Sequence, residues 1–181
     1  MKQKLRKKFF QLRQKKYFDL NHNQLSAIFS FLIQLIKRND IKVIGTYYPI
    51  HLEMNINSVL QLLKKKCQVA LPLILNNNKM EFRVWNQYDP LYVNKFGILE
   101  PSTKNKKVIP QLFLTPLLAF DKHCNRLGYG KGYYDRYLSR NKKALAYGVA
   151  FSFQQTKEVP INREDVPLQG IITEKGIVIK K

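Results

Sequence analysis

DKHCNRLGYGKGYYD, Asp121 to Asp135, is the segment from which the rest of the chain can be laid out. Ahead of it, Leu112 to Phe120 is apolar except for Thr115 and Pro116. Behind it, Tyr133, Tyr134, Tyr137 and Leu138 recur at helical spacing. The pattern predicts a strand, a glycine-rich loop and a helix. Gly128, Gly130 and Gly132 lack a Cβ, so the backbone there can take positive φ and approach a ligand closely. Successive N–H groups in such a loop, opening onto a helix N-terminus, suit an anion. Arg126 and Lys131 place two cations in the same loop. Asp135, in the first turn of the following helix, is placed to hold a divalent cation beside a bound polyphosphate.

Two common phosphate motifs are excluded. A dinucleotide fingerprint needs glycine at position 133, which is Tyr. A P-loop needs glycine six residues before its lysine, and that position is Asn125. The glycines could also make a plain turn, with Asp135 only complementing the helix dipole. Three alternating glycines with two cations favour an anion site of another kind.

Working outward, Lys2–Phe18 reads as a helix with Leu5, Phe9 and Leu12 on one face. Asn23 can cap a second helix, where Leu25, Ile28, Phe29, Leu32, Ile33 and Ile36 follow the helical period. Ile41–Tyr48 reads as a buried strand leading to Pro49 and Glu53. Ligands gather at the carboxyl ends of strands in open α/β sheets, which puts Tyr48 and Glu53 at a binding edge. Asn57 starts a third helix. Gln68–Leu75 and Met80–Trp85 read as strands around the turn-rich Asn76–Lys79. Trp85 is read as core, with a stacking platform for a ligand as the alternative. Lys104–Lys107 is a polar loop, Ala144–Phe151 another strand, and Pro160–Pro167 a loop carrying Asp165. Ile171–Ile179 forms a hairpin turning at Glu174, Lys175 and Gly176. Alternating strands and helices predict one α/β domain over residues 1–181, three αβα layers around a mostly parallel, Rossmann-like central sheet.

With 181 residues the chain suits a single domain with a substantial core. No apolar run is long enough to span a membrane, and no signal-peptide pattern follows the basic N-terminus. Cys67 and Cys124 are isolated, which fits a reducing cytoplasm. His22, His51 and His123 have no metal-ligand spacing. The net charge of +20 admits nucleic-acid binding, steering of anionic substrates, or a general lysine bias.

The glycine-loop segment resembles the RLG-x-G-x-GYYD motif of the 5-formyltetrahydrofolate cyclo-ligase family. Lys2–Arg6, Tyr48-Pro49 with Glu53, Phe96–Pro101, Ala150-Phe151 with Gln154, and Asp165 resemble further parts of that family, in the same order. Two positions depart from it. Cys124 stands where glycine is usual, and Gln169 where an acidic residue is usual. The resemblance implies a cytoplasmic, monomeric enzyme that uses ATP and Mg²⁺ to convert 5-formyltetrahydrofolate, with or without a polyglutamate tail, to 5,10-methenyltetrahydrofolate. It implies no requirement for nucleic acid or membrane. Lys2, Gln3, Lys4, Leu5, Arg6, Arg126, Leu127, Gly128, Tyr129, Gly130, Lys131, Gly132, Tyr133 and Tyr134 would contact ATP. Arg126 would grip phosphate oxygens bidentately, and Lys131 would neutralise charge on the transferring group. Tyr48, Glu53, Tyr129, Gly130, Lys131, Gly132 and Tyr133 would line the folate side. Asp135 and Asp165 would hold Mg²⁺. The rival readings are a basic nucleic-acid-binding domain and a kinase of another small anion.

Overall fold

The computed structural model describes residues 1–76, 79–86 and 88–180. In chain order the elements are α1 (Lys2–Lys16), α2 (His22–Asn39), β1 (Val43–Gly45), α3 (Asn57–Leu63), β2 (Gln68–Ile74), β3 (Met80–Val84), β4 (Leu91–Val93), β5 (Leu99–Pro101), β6 (Lys107–Val108), β7 (Leu112–Pro116), β8 (Ala119–Phe120), β9 (Arg126–Leu127), α4 (Tyr133–Arg140), β10 (Leu145–Val149), a 3₁₀ turn (Ser152–Gln154), β11 (Gly170–Thr173) and β12 (Gly176–Ile179). Eight strands make one sheet in the order β12-β11-β10-β7-β1-β2-β3-β6. The five central strands, β11 to β2, are mutually parallel, and the edges are antiparallel.

Alternation along the strands sorts the core into two layers. Leu112 and Leu114 of β7, Tyr147 and Val149 of β10, and Ile172 of β11 face one side. There they pack on Ile28, Leu32 and Ile36 of α2 and Val59, Leu60 and Leu63 of α3. Phe113, Ala146 and Ile171, the intervening residues, face the other side and pack with Leu138, Tyr134 and Tyr137 of α4. Helices therefore cover both faces, as the three-layer reading predicts. The crossover from β1 to β2 carries α3 on one face, and the crossover from β7 to β10 carries α4 on the other. Neighbouring β1 and β7 thus mark a switch point, where a crevice opens at the carboxyl ends.

Several boundaries differ from the sequence reading. The second helix is capped by Asn21, not Asn23. Asn21 Oδ1 accepts from Gln24 N and Gln24 Oε1 accepts from Asn21 N, each at 3.0 Å, a reciprocal capping box. The strand expected over Ile41–Tyr48 keeps ladder pairing only at Val43–Gly45. The apolar run Leu112–Phe120 is two strands, because Pro116 has no N–H to continue the ladder. Beyond it the carbonyls of Leu117 and Leu118 turn to Gln154 Nε2, each at 2.9 Å. Lys107, read as loop, pairs with Arg83 at the sheet edge. The small β4–β5 hairpin was not anticipated. Of the predicted Asn76–Lys79 turn, Asn77 and Asn78 lie outside the described residues.

Candidate active site

The glycine loop is launched by the hairpin β8–β9, whose tight turn is built on one buried carboxylate. Asp121 accepts from the N–H groups of His123 (2.9 Å), Asn125 (3.1 Å) and Val159 (3.1 Å), and from Asn125 Nδ2 (3.0 Å). Cys124 sits in this turn at φ 59°, a left-handed conformation that glycine adopts without strain. Burial of its side chain accompanies that strain. Past the hairpin, Gly130 (φ 100°) and Gly132 (φ 66°) also take positive φ. The backbone at Gly130 demands glycine, and a Cβ there would press on Arg6, 3.0 Å from the guanidinium carbon. Gly132 leads directly into α4, whose N-terminus has no side-chain cap. Its first-turn N–H groups are therefore left for an outside acceptor.

This loop forms one wall of a cleft of about 1080 Å³ at the switch point. Tyr48 and Glu53 come from the loop after β1. Phe96 and Ile98 come from the turn joining β4 to β5. Lys131 extends towards this turn, its Nζ 5.6 Å from the Phe96 ring centroid. Lys2 and Arg6 reach the cleft from α1, and Arg6 Nε donates to Gly128 O at 2.9 Å.

Two carboxylates lie beside the loop. Asp135 Oδ1 accepts from Arg126 Nη2 at 2.6 Å and from Val166 N at 3.1 Å. Asp165 Oδ2 accepts from Lys2 Nζ at 2.5 Å and from Asn162 N at 2.7 Å. Burial raises the Asp165 carboxyl, but its bonds with Lys2 and Asn162 outweigh this and hold it below its ordinary value. The remaining oxygen of each carboxylate has no protein donor among the described residues. Among those residues no three His, Cys, Asp or Glu side chains converge as a metal cage. The donor set fits Mg²⁺ completed by phosphate oxygens and water, and not a closed protein site.

Beside Tyr129 of the loop, Glu53 is buried, and burial pushes its carboxyl up to about 7. The Ile50 N–H, the Arg13 charge and the Tyr129 hydroxyl each work against that rise.

Known proteins place this architecture. The sequence model of the 5-formyltetrahydrofolate cyclo-ligase family matches residues 1–174. The chain belongs to this cyclo-ligase family. A Haemophilus influenzae 5-formyltetrahydrofolate cyclo-ligase is 32% identical over 160 residues, covering 83% of this chain and 86% of that protein. A Mycoplasma genitalium cyclo-ligase is 35% identical over 144 residues, covering 78% and 75%. The solved 5,10-methenyltetrahydrofolate synthetase of Aquifex aeolicus superposes with a TM-score of 0.81 at 31% identity, covering 98% of this chain and 92% of that one. Membership makes the chain an enzyme, a ligase of folate chemistry.

Within the cyclo-ligase fold, most of the residues singled out in the sequence line this one cleft. Tyr48, Glu53, Arg126 and the whole run Leu127–Asp135 do, as does Asp165. The N-terminal segment divides by helical geometry: Lys2 and Arg6, four apart, share the cleft face. Gln3 and Lys4 are exposed, and Leu5 packs with Phe9 in the apolar stripe beside it. The expected bidentate grip of Arg126 on phosphate is corrected by its geometry. Its Nη1 donates to Val166 O at 2.6 Å, its Nη2 to Asp135, and its side chain is 5% exposed. Trp85 is core, edge-on to Tyr48 and covered by Lys64 Nζ 3.8 Å from its ring centroid. Gln169, at the departure from the family pattern, accepts from Ala146 N at 2.6 Å and so ties β10 to the segment before β11.

Sequence reasoning missed Arg13, which is buried in the network behind Glu53. A signal was present: Arg13 lies four residues after Phe9, on the helix face otherwise given to apolar residues. It also missed Phe96 and Ile98 as cleft residues. They sit in the unanticipated β4–β5 hairpin.

Proposed function

We propose that this chain closes 5-formyltetrahydrofolate to 5,10-methenyltetrahydrofolate, consuming ATP and releasing ADP and phosphate. One observation carries the reading: an uncapped helix N-terminus, entered through positive-φ glycines, and a buried carboxylate line a single cleft. The first suits a nucleotide's phosphates, the second the amino and ring N–H donors of a pterin.

The formyl oxygen of the substrate is a poor leaving group. Transfer of the ATP γ-phosphoryl group to it makes it a good one. N10 then attacks the formyl carbon, the five-membered ring closes, and the C–O bond breaks to release phosphate. Phosphoryl transfer asks a protein for positioning and charge neutralisation more than for covalent work. The loop N–H groups from Gly128 to Gly132 would receive phosphate oxygens, with Lys2 and Arg6 closing over them from α1. Lys131 is the exposed loop cation and would neutralise charge on the transferring group. Arg126 acts from behind, fixing Asp135 and adding positive charge beneath the loop. Asp135 and Asp165 would hold Mg²⁺ through their uncommitted oxygens. When bound, the ion supplies charge neutralisation between neighbouring phosphates. Tyr48, Glu53 and Phe96 would enclose the folate. The proposed working unit is the single chain in the cytoplasm, with or without polyglutamate on the folate.

The test is the absorbance of the methenyl product when the protein is mixed with 5-formyltetrahydrofolate, ATP and Mg²⁺. Product should accumulate only with all three. ADP release that is equally fast without the folate would instead favour a kinase of another small anion.

A further inference from the structure

Arg13 is buried, 1% exposed, yet no carboxylate pairs with it directly among the described residues. Its Nη1 donates to Leu117 O at 3.3 Å, its Nη2 donates to the Tyr129 hydroxyl, and its buried Nε has no partner. A buried cation is costly unless an anion compensates it. The anion lies one side chain further on: the Tyr129 hydroxyl donates to Glu53 Oε1 at 2.9 Å. Cation, phenol and carboxylate form a line from behind the cleft to its wall. Tyr129 and Glu53 line the cleft, while Arg13 stands behind them on α1.

The far end of this line is held in a demanding geometry. Glu53 Oε2 accepts from Ile50 N at 3.0 Å, and Glu53 N donates to Ile50 O at 2.9 Å. The residues between, His51 and Leu52, both take left-handed backbone at φ 48° and 60°. Two consecutive non-glycine residues in that region cost energy and persist only where the surroundings impose them. Among the described residues, the groups coupled to Glu53 come from several elements. From its own loop comes the Ile50 N–H, from α1 Arg13, from the glycine loop Tyr129, from the segment after β1 Tyr47, and from α4 Tyr134. Among these described groups Arg13 is the cation.

We infer that Arg13 is a positioning residue for the folate: acting through the Tyr129 hydroxyl, it favours the carboxylate form of Glu53 and holds it at the cleft for the pterin's paired donors. A carboxylate accepts from both donors, whereas a protonated carboxyl loses one acceptor to its own proton. The inference rests on the folate-side reading of Glu53 given above.

The experiment is equilibrium binding of 5-formyltetrahydrofolate without ATP, measured calorimetrically from about pH 6 to about pH 9, a range that brackets the shifted carboxyl. The native protein should lose affinity as the pH falls through about 7. In Arg13→Met that loss should begin about one pH unit higher or more, since a nearby cation has been removed. Arg13→Lys should return it part of the way. Tyr129→Phe deletes only one oxygen and should move the loss in the same direction, so the question stays answerable if Arg13→Met does not fold. Glu53→Gln separates the two levels of argument by its affinity at high pH. If it binds like the native protein, the folate-side reading of Glu53 fails and the inference with it. If it binds weakly while the pH of the loss stays native in Arg13→Met and Tyr129→Phe, the inference alone is overturned.

Discussion

The layer under α2 and α3 and the corner where α1 meets the glycine loop are built on opposite terms. In the first, period and burial agree at the apolar core positions. Leu32 and Leu60 are fully buried, the helix start is closed by its capping box, and its left-handed C-cap at Asp40 returns an N–H to Ile36 O. In the second, local rules are broken repeatedly. Cys124, His51 and Leu52 hold positive φ, and Arg13 Nε and Tyr134 Oη are buried without partners. Unpartnered buried polar atoms occur in both regions, Asn57 Oδ1 and Lys64 Nζ belonging to α3 and its C-cap, so what sets the second apart is left-handed backbone away from any helix cap, at Cys124, His51 and Leu52.

The contrast can be broken by experiments that should hit one side only. The largest expected effect is on chemistry. Lys131→Ala should lower kcat by about 100-fold or more, the loss of one preorganised electrostatic group, with melting temperature unchanged. Native turnover in that variant would remove Lys131 from its role. Leu32→Ala should do the reverse, costing about 3 kcal/mol in a denaturant titration through the cavity it leaves, with folate and ATP KM values retained. A similar magnitude, read differently, attaches to Glu53. Its folded carboxyl titrates near 7 against an ordinary 4.5, so the folded state binds more protons between those values. Stability should therefore fall as pH rises from about 4.5 to about 7, by up to roughly 3 kcal/mol. Unfolding measured across that window should show this slope in the native protein and lack it in Glu53→Gln. The smallest effect is at Cys124→Gly. Relief of left-handed strain and the loss of a buried side chain oppose each other, so stability should change by less than about 1 kcal/mol.

The first region could be read from the sequence and much of the second could not. Leu25 to Ile36 announces its helix because one period dominates, and the strand cores follow for the same reason. The glycine loop was legible too, since three glycines and two cations point to one chemistry. What the sequence hid was partnership at a distance. Nothing near Arg126 says that Asp135 and Val166 O will occupy its guanidinium, so a phosphate grip looked natural. Leu112–Phe120 is apolar throughout apart from Thr115 and Pro116, and its division depends on Gln154, far along the chain, taking two carbonyls. The cap of the second helix was misplaced by two residues, because Asn21 and Asn23 are chemically alike and only Gln24 tells them apart.

Arg6 and Gly128 are separated by 122 positions, yet they touch across the cleft mouth. The opening helix is thus a latch closed by tertiary contacts, fastened at Asp165, Gly128 and Tyr129 and cushioned by Leu5, Phe9 and Leu12. An element held this way opens locally before the sheet does, and ligands seated beneath it oppose the opening by mass action. Amide-hydrogen exchange along residues 2–16 should therefore serve as an occupancy gauge, slow with both substrates seated and faster without them.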